Sequence, residues 1–233
     1  MLVPYRDLIL QLTRRDIAQR YRGTALGVFW SLLTPLLMLA IYTFVFTVIF
    51  QARWPVAEET PRSHLALLLF SGLIVHGLAA ECLLKAPHLI PSQVNFVKKV
   101  VFPLPVLPVV TLLTALFHFL LSLLVLLAAI AFVTGSLPIT ALWLPIVLAP
   151  YLLGLLGTLW LIAAMGVYLR DIGQLIGLGL TALLFLSPVF YPAEALPEAW
   201  RPFLFANPLT LIIEQLRTIL LYNQMPDFQA LGL

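Results

Sequence analysis

With 62% hydrophobic and 10% charged side chains over 233 residues, the chain is too apolar for a water-soluble domain, where those shares run near about 45–50% and about 25%. A mean hydropathy of +1.05 makes lipid the solvent for most of its length and excludes disorder, collagen-like repeats and a nucleic-acid-binding globule. The formal net charge of +3 is small, so the positions of the charges carry more information than their sum. A single cysteine, Cys82, leaves no intrachain disulfide or cysteine-based zinc site and reads as a small buried hydrophobe.

In chain order, the N-terminus lacks the h-region of a secretory signal. Its one apolar run, Leu8-Ile9-Leu10, falls short of the about 7–15 residues required. The insertion signal is therefore expected to be a retained span. Tyr5, Leu8, Ile9 and Leu12 share a helical face opposite Asp7, Gln11, Arg14 and Arg15, with a slip of phase near Thr13. That pattern suits a helix lying in the inner interface within residues 1–26, or a simple topology anchor.

A spanning helix needs about 20 apolar residues. Residues 27–50 supply a first span, and a polar loop from Arg53 to Arg62 follows. The second covers 65–80, and Glu81 and Lys85, four apart, are spaced as a helix-surface ion pair that carries the helix further. Pro87, Pro91, Ser92, Gln93, Asn95, Lys98, Lys99 and Pro103 then mark a polar connection.

The run from Val100 to Leu169 carries no formal charge, too long for one crossing. Gly135-Ser136-Leu137-Pro138 is its turn, giving spans at 106–134 and 140–168. Arg170-Asp171 interrupts, and 172–191 forms a fifth span. Beyond it Pro192, Pro197, Pro202 and Pro208 leave apolar pieces at 203–213 and 215–225, short enough to be re-entrant or interfacial. The chain thus reads as an all-α, polytopic membrane protein with a single transmembrane domain over 1–233. Residues 1–26 form the interfacial helix, 27–191 five spans and 192–233 short outer helices.

An inward N-terminus puts nine Lys and Arg residues on the inner side and four outside, with six of ten acids outside, as the positive-inside rule favours. No phosphate-cradling G-x-x-x-x-G-K-[ST] occurs, nor a close histidine pair, nor a G-x-S-x-G elbow. His76 and His118 lie within spans, where a helix-to-helix hydrogen bond or a substrate contact are the two readings. No pair of acids lies deep in a span, so the driving energy is expected to come from elsewhere.

Four segments say more than hydropathy requires. One runs from Arg15 to Trp30 and on to Pro35-Leu36, and a second from Val94 to Pro103 through Lys98-Lys99. The third is Tyr168-Leu169-Arg170-Asp171-Ile172-Gly173, where Gly173 and Gly177 offer a small-xxx-small face. The fourth is Asn207-Pro208-Leu209-Thr210 through Glu214 to Arg217. In this order and spacing they resemble the membrane permease subunit of ABC exporters for lipid-linked polysaccharides, over nearly the whole chain. Two departures stand out. Leu104-Pro105 occupies the place of the family's acidic residue, and the family's sixth span is missing, either through truncation of about 20 or more apolar residues or because this homologue ends outside with five spans, truncation being the favoured expectation.

The resemblance implies a homodimer joined to two copies of a cytoplasmic ATPase that binds the ATP and magnesium, this chain itself holding no cofactor or metal. It implies a bacterial inner-membrane location, an undecaprenyl-linked polysaccharide substrate and no nucleic acid. It assigns the pore lining to the first and fifth spans: Met38, Tyr42, Phe46 and Phe50, recurring every four residues with Phe44 off the stripe, and Phe185, Phe190 and Tyr191. Lipid-facing or interhelical packing is the other reading of those aromatics. The ATPase contacts fall on Asn95, Lys98 and Lys99, in a coupling helix near 86–100, and on the Arg170-Asp171 turn. The two lysines would equally serve orientation alone.

The N-terminal motif contributes Arg15, Asp16, Arg20, Tyr21, Arg22 and Trp30. An outer gate is assigned to short helices at 199–205 and 208–220, with Trp200, Asn207, Pro208, Glu214 and Arg217. Glu214 and Arg217 are three apart and suited to pair. Two other functions compete: a permease for drugs or small lipids, and a membrane-embedded enzyme or assembly factor of glycan synthesis. The second needs buried acids or histidines in register.

Overall fold

The computed structural model describes residues 3–49, 62–93, 102–192, 204 and 207–231, and among these every regular element is helical. Helix α1 is Arg6–Tyr21. A 3-10 turn, Gly27–Phe29, leads into α2, Trp30–Phe44, which continues as a π-helical turn, Val45–Ile49. Helix α3 is Arg62–Lys85, followed by a 3-10 turn at Ala86–His88. Helix α4 is Val106–Thr134, α5 is Leu144–Tyr168 after a 3-10 segment Ile139–Trp143, α6 is Ile172–Leu186 and α7 is Pro208–Leu220.

Among the described residues, four stretches are long and apolar enough to cross a bilayer: Gly27–Phe44, His64–His88, Val106–Thr134 and Ile139–Tyr168. The turn in the charge-free run falls where the sequence put it. Gly135 takes φ +77°, the left-handed conformation that ends a helix at little cost, and its amide bonds back to the Ala131 carbonyl at 2.9 Å.

The fifth expected span is shorter than 172–191. Helix α6 stops at Leu186 after 15 residues, about 22 Å of rise against a hydrocarbon core of about 30 Å. Pro188 is the cause, because it removes an amide donor and disfavours helical backbone at Ser187 before it. The expected apolar pieces at 203–213 and 215–225 are likewise redrawn. One helix, α7, runs through their junction, and 9 of its 13 residues are buried.

The chain divides into two compact units that cut across helices: Met1–Trp30, Gly77–Phe119 and Leu152–Thr181 in the first, and Ser31–His76, Leu120–Tyr151 and Ala182–Leu233 in the second. In the first unit α1 packs on the start of α4. Ile9, Val106 and Val110 form a buried cluster with Leu12, Val109 and Leu113 around it. The packed face of α1 then turns to Thr13, which is buried and donates to the Ile9 carbonyl at 2.8 Å. Tyr5 stays exposed, and Ile9 and Thr13, four apart on one face, are the buried residues of α1.

Helix α5 meets the turn after α3 at Gly166, where an added β-carbon would lie 2.2 Å from the Pro87 carbonyl oxygen and 2.7 Å from its Cα. Only glycine allows that approach. Gly173 lies beside the same turn, with His88 Nε2 3.3 Å from where its β-carbon would stand, whereas Gly177 faces open space. The small-residue face of α6 is therefore used at one of its two positions.

In the second unit the α3 stretch Leu65–Phe70 is buried throughout, and Tyr151 donates its hydroxyl to the Val75 carbonyl at 2.8 Å. Buried polar groups need such partners. By contrast α2 buries only Ser31 and Pro35.

Candidate functional site

Two constellations of polar and aromatic side chains stand out, one in each unit. In the first unit Glu81, on the last turn but one of α3, gathers the charges. Lys85 Nζ lies 3.3 Å from its Oε1, the pair read from the spacing. His118 Nδ1 of α4 lies 3.0 Å from both carboxylate oxygens. Arg20 Nη1 of α1 completes the group with a hydrogen bond to Glu81 Oε1 and stands 3.1 Å from His118 Nδ1. Tyr21 meets the His118 ring edge-on with centroids 6.0 Å apart. The helix-to-helix contact, one of the two readings of His118, is thus present.

The second-unit constellation is built around α7. Asn207 caps that helix, its Oδ1 accepting from the Leu209 amide at 3.0 Å, with Pro208 in the first turn where no amide donor is needed. Its Nδ2 donates to Ser187 Oγ at 2.8 Å, tying the cap to the end of α6. Three residues in from its C-terminal end, Arg217 is 1% exposed. Its Nη1 pairs with Glu214 at 2.9 Å, as the spacing suggested. Its Nη2 donates to the Leu68 carbonyl at 3.0 Å and the Val189 carbonyl at 3.2 Å, and Nε to Leu68 at 3.3 Å. The guanidinium is thus spread over three acceptors, as a buried cation requires. Gly72 makes room, since a β-carbon there would lie 3.2 Å from Val189 Cα and 3.4 Å from Arg217 Nη2.

The aromatics assigned to the pore partly converge in this unit. Phe46 stacks on Phe190 at 6.2 Å, and Phe185 lies 5.9 Å from Phe190. Tyr191 donates its hydroxyl to the Phe185 carbonyl at 3.0 Å. Met38 is exposed and Tyr42 half-buried. Phe50, Asn95, Lys98, Lys99 and Trp200 lie outside the described residues, as does 199–205 apart from Leu204. Arg170 and Asp171 are exposed in the turn between α5 and α6. From the N-terminal motif Arg15, Arg22 and Trp30 are exposed, while Asp16 is half-buried.

Sequence reasoning paired Glu81 with Lys85 but missed Arg20 and His118 as its partners, separated from it by 61 and 37 positions. No periodicity reports a meeting at that distance. The acceptors of Arg217 on Leu68 and Val189 are backbone carbonyls, which leave no mark in the sequence at all.

With only helices among its regular elements in the described residues, four of them long and apolar enough to cross a bilayer, the chain is an all-α polytopic membrane protein. Residues 7–221 match the ABC-2 type transporter family, and the chain belongs to it. It is 30% identical to the O-antigen export system permease protein RfbA of Myxococcus xanthus, over 99% of this chain and 86% of that one. To the protein of the same name from Klebsiella pneumoniae it is 26% identical, over 89% of this chain and 77% of the relative.

Proposed function

We propose that this chain is the transmembrane subunit of an ATP-driven exporter that moves an undecaprenyl-linked polysaccharide, of O-antigen type, across the bacterial inner membrane with its N-terminus in the cytoplasm. The observation that carries the reading is similarity along essentially the whole chain to O-antigen export permeases. Two copies form the conduit, and two copies of a separate cytoplasmic ATPase hydrolyse the ATP. The exposed flank of α2, with its single buried pair Ser31 and Pro35, suits a helix that a second copy or the passing substrate covers. Sugar C–H faces pack on aromatic rings without fixed hydrogen bonds, and the group Phe46, Phe185 and Phe190 offers such rings to a sliding polymer. The Arg170-Asp171 turn and the segment bearing Asn95, Lys98 and Lys99 take the push from the ATPase. Asn207, Glu214 and Arg217 hold the outer gate helix in place rather than bind substrate, since each is occupied within the protein.

Deleting the gene tests this directly. Lipid-linked glycan is expected to accumulate on the cytoplasmic side while surface polysaccharide disappears, and both revert when the gene is returned. Normal surface polysaccharide in the deletion strain would refute the proposal. Export of small amphiphiles with unchanged glycan would instead favour a drug or lipid permease.

A further inference from the structure

Beside the Glu81 cluster lies a cleft of about 690 Å³ lined by Asp16, Gln19, Arg20, Gly77, Glu81, Leu84, Lys85 and Thr114, within the size range of small-ligand pockets. Two of its lining residues bear on what it can hold. Thr114, 1% exposed, has a buried hydroxyl with no hydrogen-bond partner. Other helical threonines of this chain, such as Thr13, Thr111, Thr158, Thr181 and Thr218, satisfy theirs on the carbonyl four residues back. Thr114 forgoes that bond on the wall of a cleft, and a buried polar group left unpaired in a native protein calls for a ligand, a water or a function. The second residue is Gly77, where an added β-carbon would meet nothing within 4 Å. That glycine is not required by packing, and the space it leaves belongs to the cleft.

The lining selects the ligand. Arg20 and Lys85 are both already turned onto Glu81, and Asp16 adds a second carboxylate, so the cations are balanced one for one. A phosphate or pyrophosphate would bring two or more negative charges against two carboxylates. A neutral ligand rich in hydroxyls meets no such cost. Each sugar hydroxyl donates to a carboxylate and accepts from an amide, guanidinium or ammonium, and Gln19 and Thr114 extend that set. We propose that this cleft binds a sugar residue of the glycan as a neutral polyol. The inference rests on the export function proposed above and adds to it a docking point on the α1, α3 and α4 elements of each subunit.

The test uses the full chain purified with its ATPase in nanodiscs. The probe is the polysaccharide freed by mild acid from the source strain's own surface and labelled at its reducing end. Fluorescence anisotropy is expected to show binding to the wild type. Gly77→Leu, which pushes a side chain into the cleft, should weaken it about tenfold or more, and the isosteric Thr114→Val, which removes one hydrogen bond, about three- to tenfold. Gly154→Leu makes the same substitution at another glycine open for 4 Å, away from the cleft, and should leave binding unchanged. Equal affinity of wild type and Gly77→Leu would overturn the proposal. So would inorganic pyrophosphate displacing the glycan from the wild type but not from Gly77→Leu, since the cleft would then be an anion site. Surface polysaccharide in the complemented deletion strain separates the two claims. If the wild type exports glycan while Gly77→Leu binds it equally well, the cleft assignment falls and the export function stands. If the wild type restores no surface polysaccharide, the export function itself falls.

Discussion

Arg217 and Arg20 each meet a glutamate, yet the two arginines are held in opposite ways. Arg217 is 1% exposed and its charge is spread over Glu214 and two backbone carbonyls of fixed position. Arg20 has a side chain 49% exposed, and it shares the single carboxylate of Glu81 with Lys85 and His118. A buried cation held by a carboxylate and two backbone carbonyls is a fastening, costly to undo because buried acceptors such as the Val189 carbonyl would lose a charged donor. A half-open cluster around one carboxylate is adjustable, because water and salt compete for Arg20 and Lys85, whose side chains reach the surface. The second unit spends charge on fixing α7, and the first keeps it within reach of a cleft.

The contrast can be broken by experiment, beginning with the largest effect. Arg217→Met should destabilise the protein by about 3–5 kcal/mol, since it strips a half-buried carboxylate and two backbone carbonyls of one charged donor. Thermal unfolding of the purified protein in detergent, or loss of folded protein from the membrane, would report it. Gly166→Ala comes next. Its β-carbon would stand 2.2 Å from a backbone oxygen of Pro87, and overpacking against main chain costs about 1–3 kcal/mol or more, read in the same unfolding assay. Asn207→Ala removes the cap of α7 and should cost about 1 kcal/mol, with Asn207→Asp avoiding most of that loss by keeping the acceptor. Smallest is Arg20→Met, at about 0–1 kcal/mol and shrinking further as salt is raised. Equal losses for Arg217→Met and Arg20→Met, with equal salt dependence, would erase the distinction between fastening and cluster.

Much of the fold was legible because hydrophobic length and punctuation are local properties. The charge-free run, with its Gly135-Ser136-Leu137-Pro138 turn, fixed α4 at the very residues expected, 106–134, and α5 to within a few of 140–168. Local pairs were legible too, since Glu81–Lys85 and Glu214–Arg217 follow from helical spacing. The early end of α6 was also written in the chain, in Pro188, but was hidden by the apolar residues on either side of it. Other features had no local signal. Gly154, Gly157 and Gly166 sit alike in one apolar helix, yet two face open space and the third touches the Pro87 backbone. The Arg20–Glu81–His118 meeting joins three helices, and its members look unremarkable on each. Thr114 and Thr210 give no hint in sequence that their hydroxyls stay unpaired where those of Thr13, Thr111 and Thr218 do not.

The contact at Gly166 also has a mechanical side. With Pro87 seated in a notch that admits no side chain, the turn at Ala86–His88 and the neighbouring stretch of α5 cannot slide past one another like greased rods. A displacement delivered to that corner would be passed on whole, as a pawl passes motion to its wheel, rather than absorbed by loose side chains.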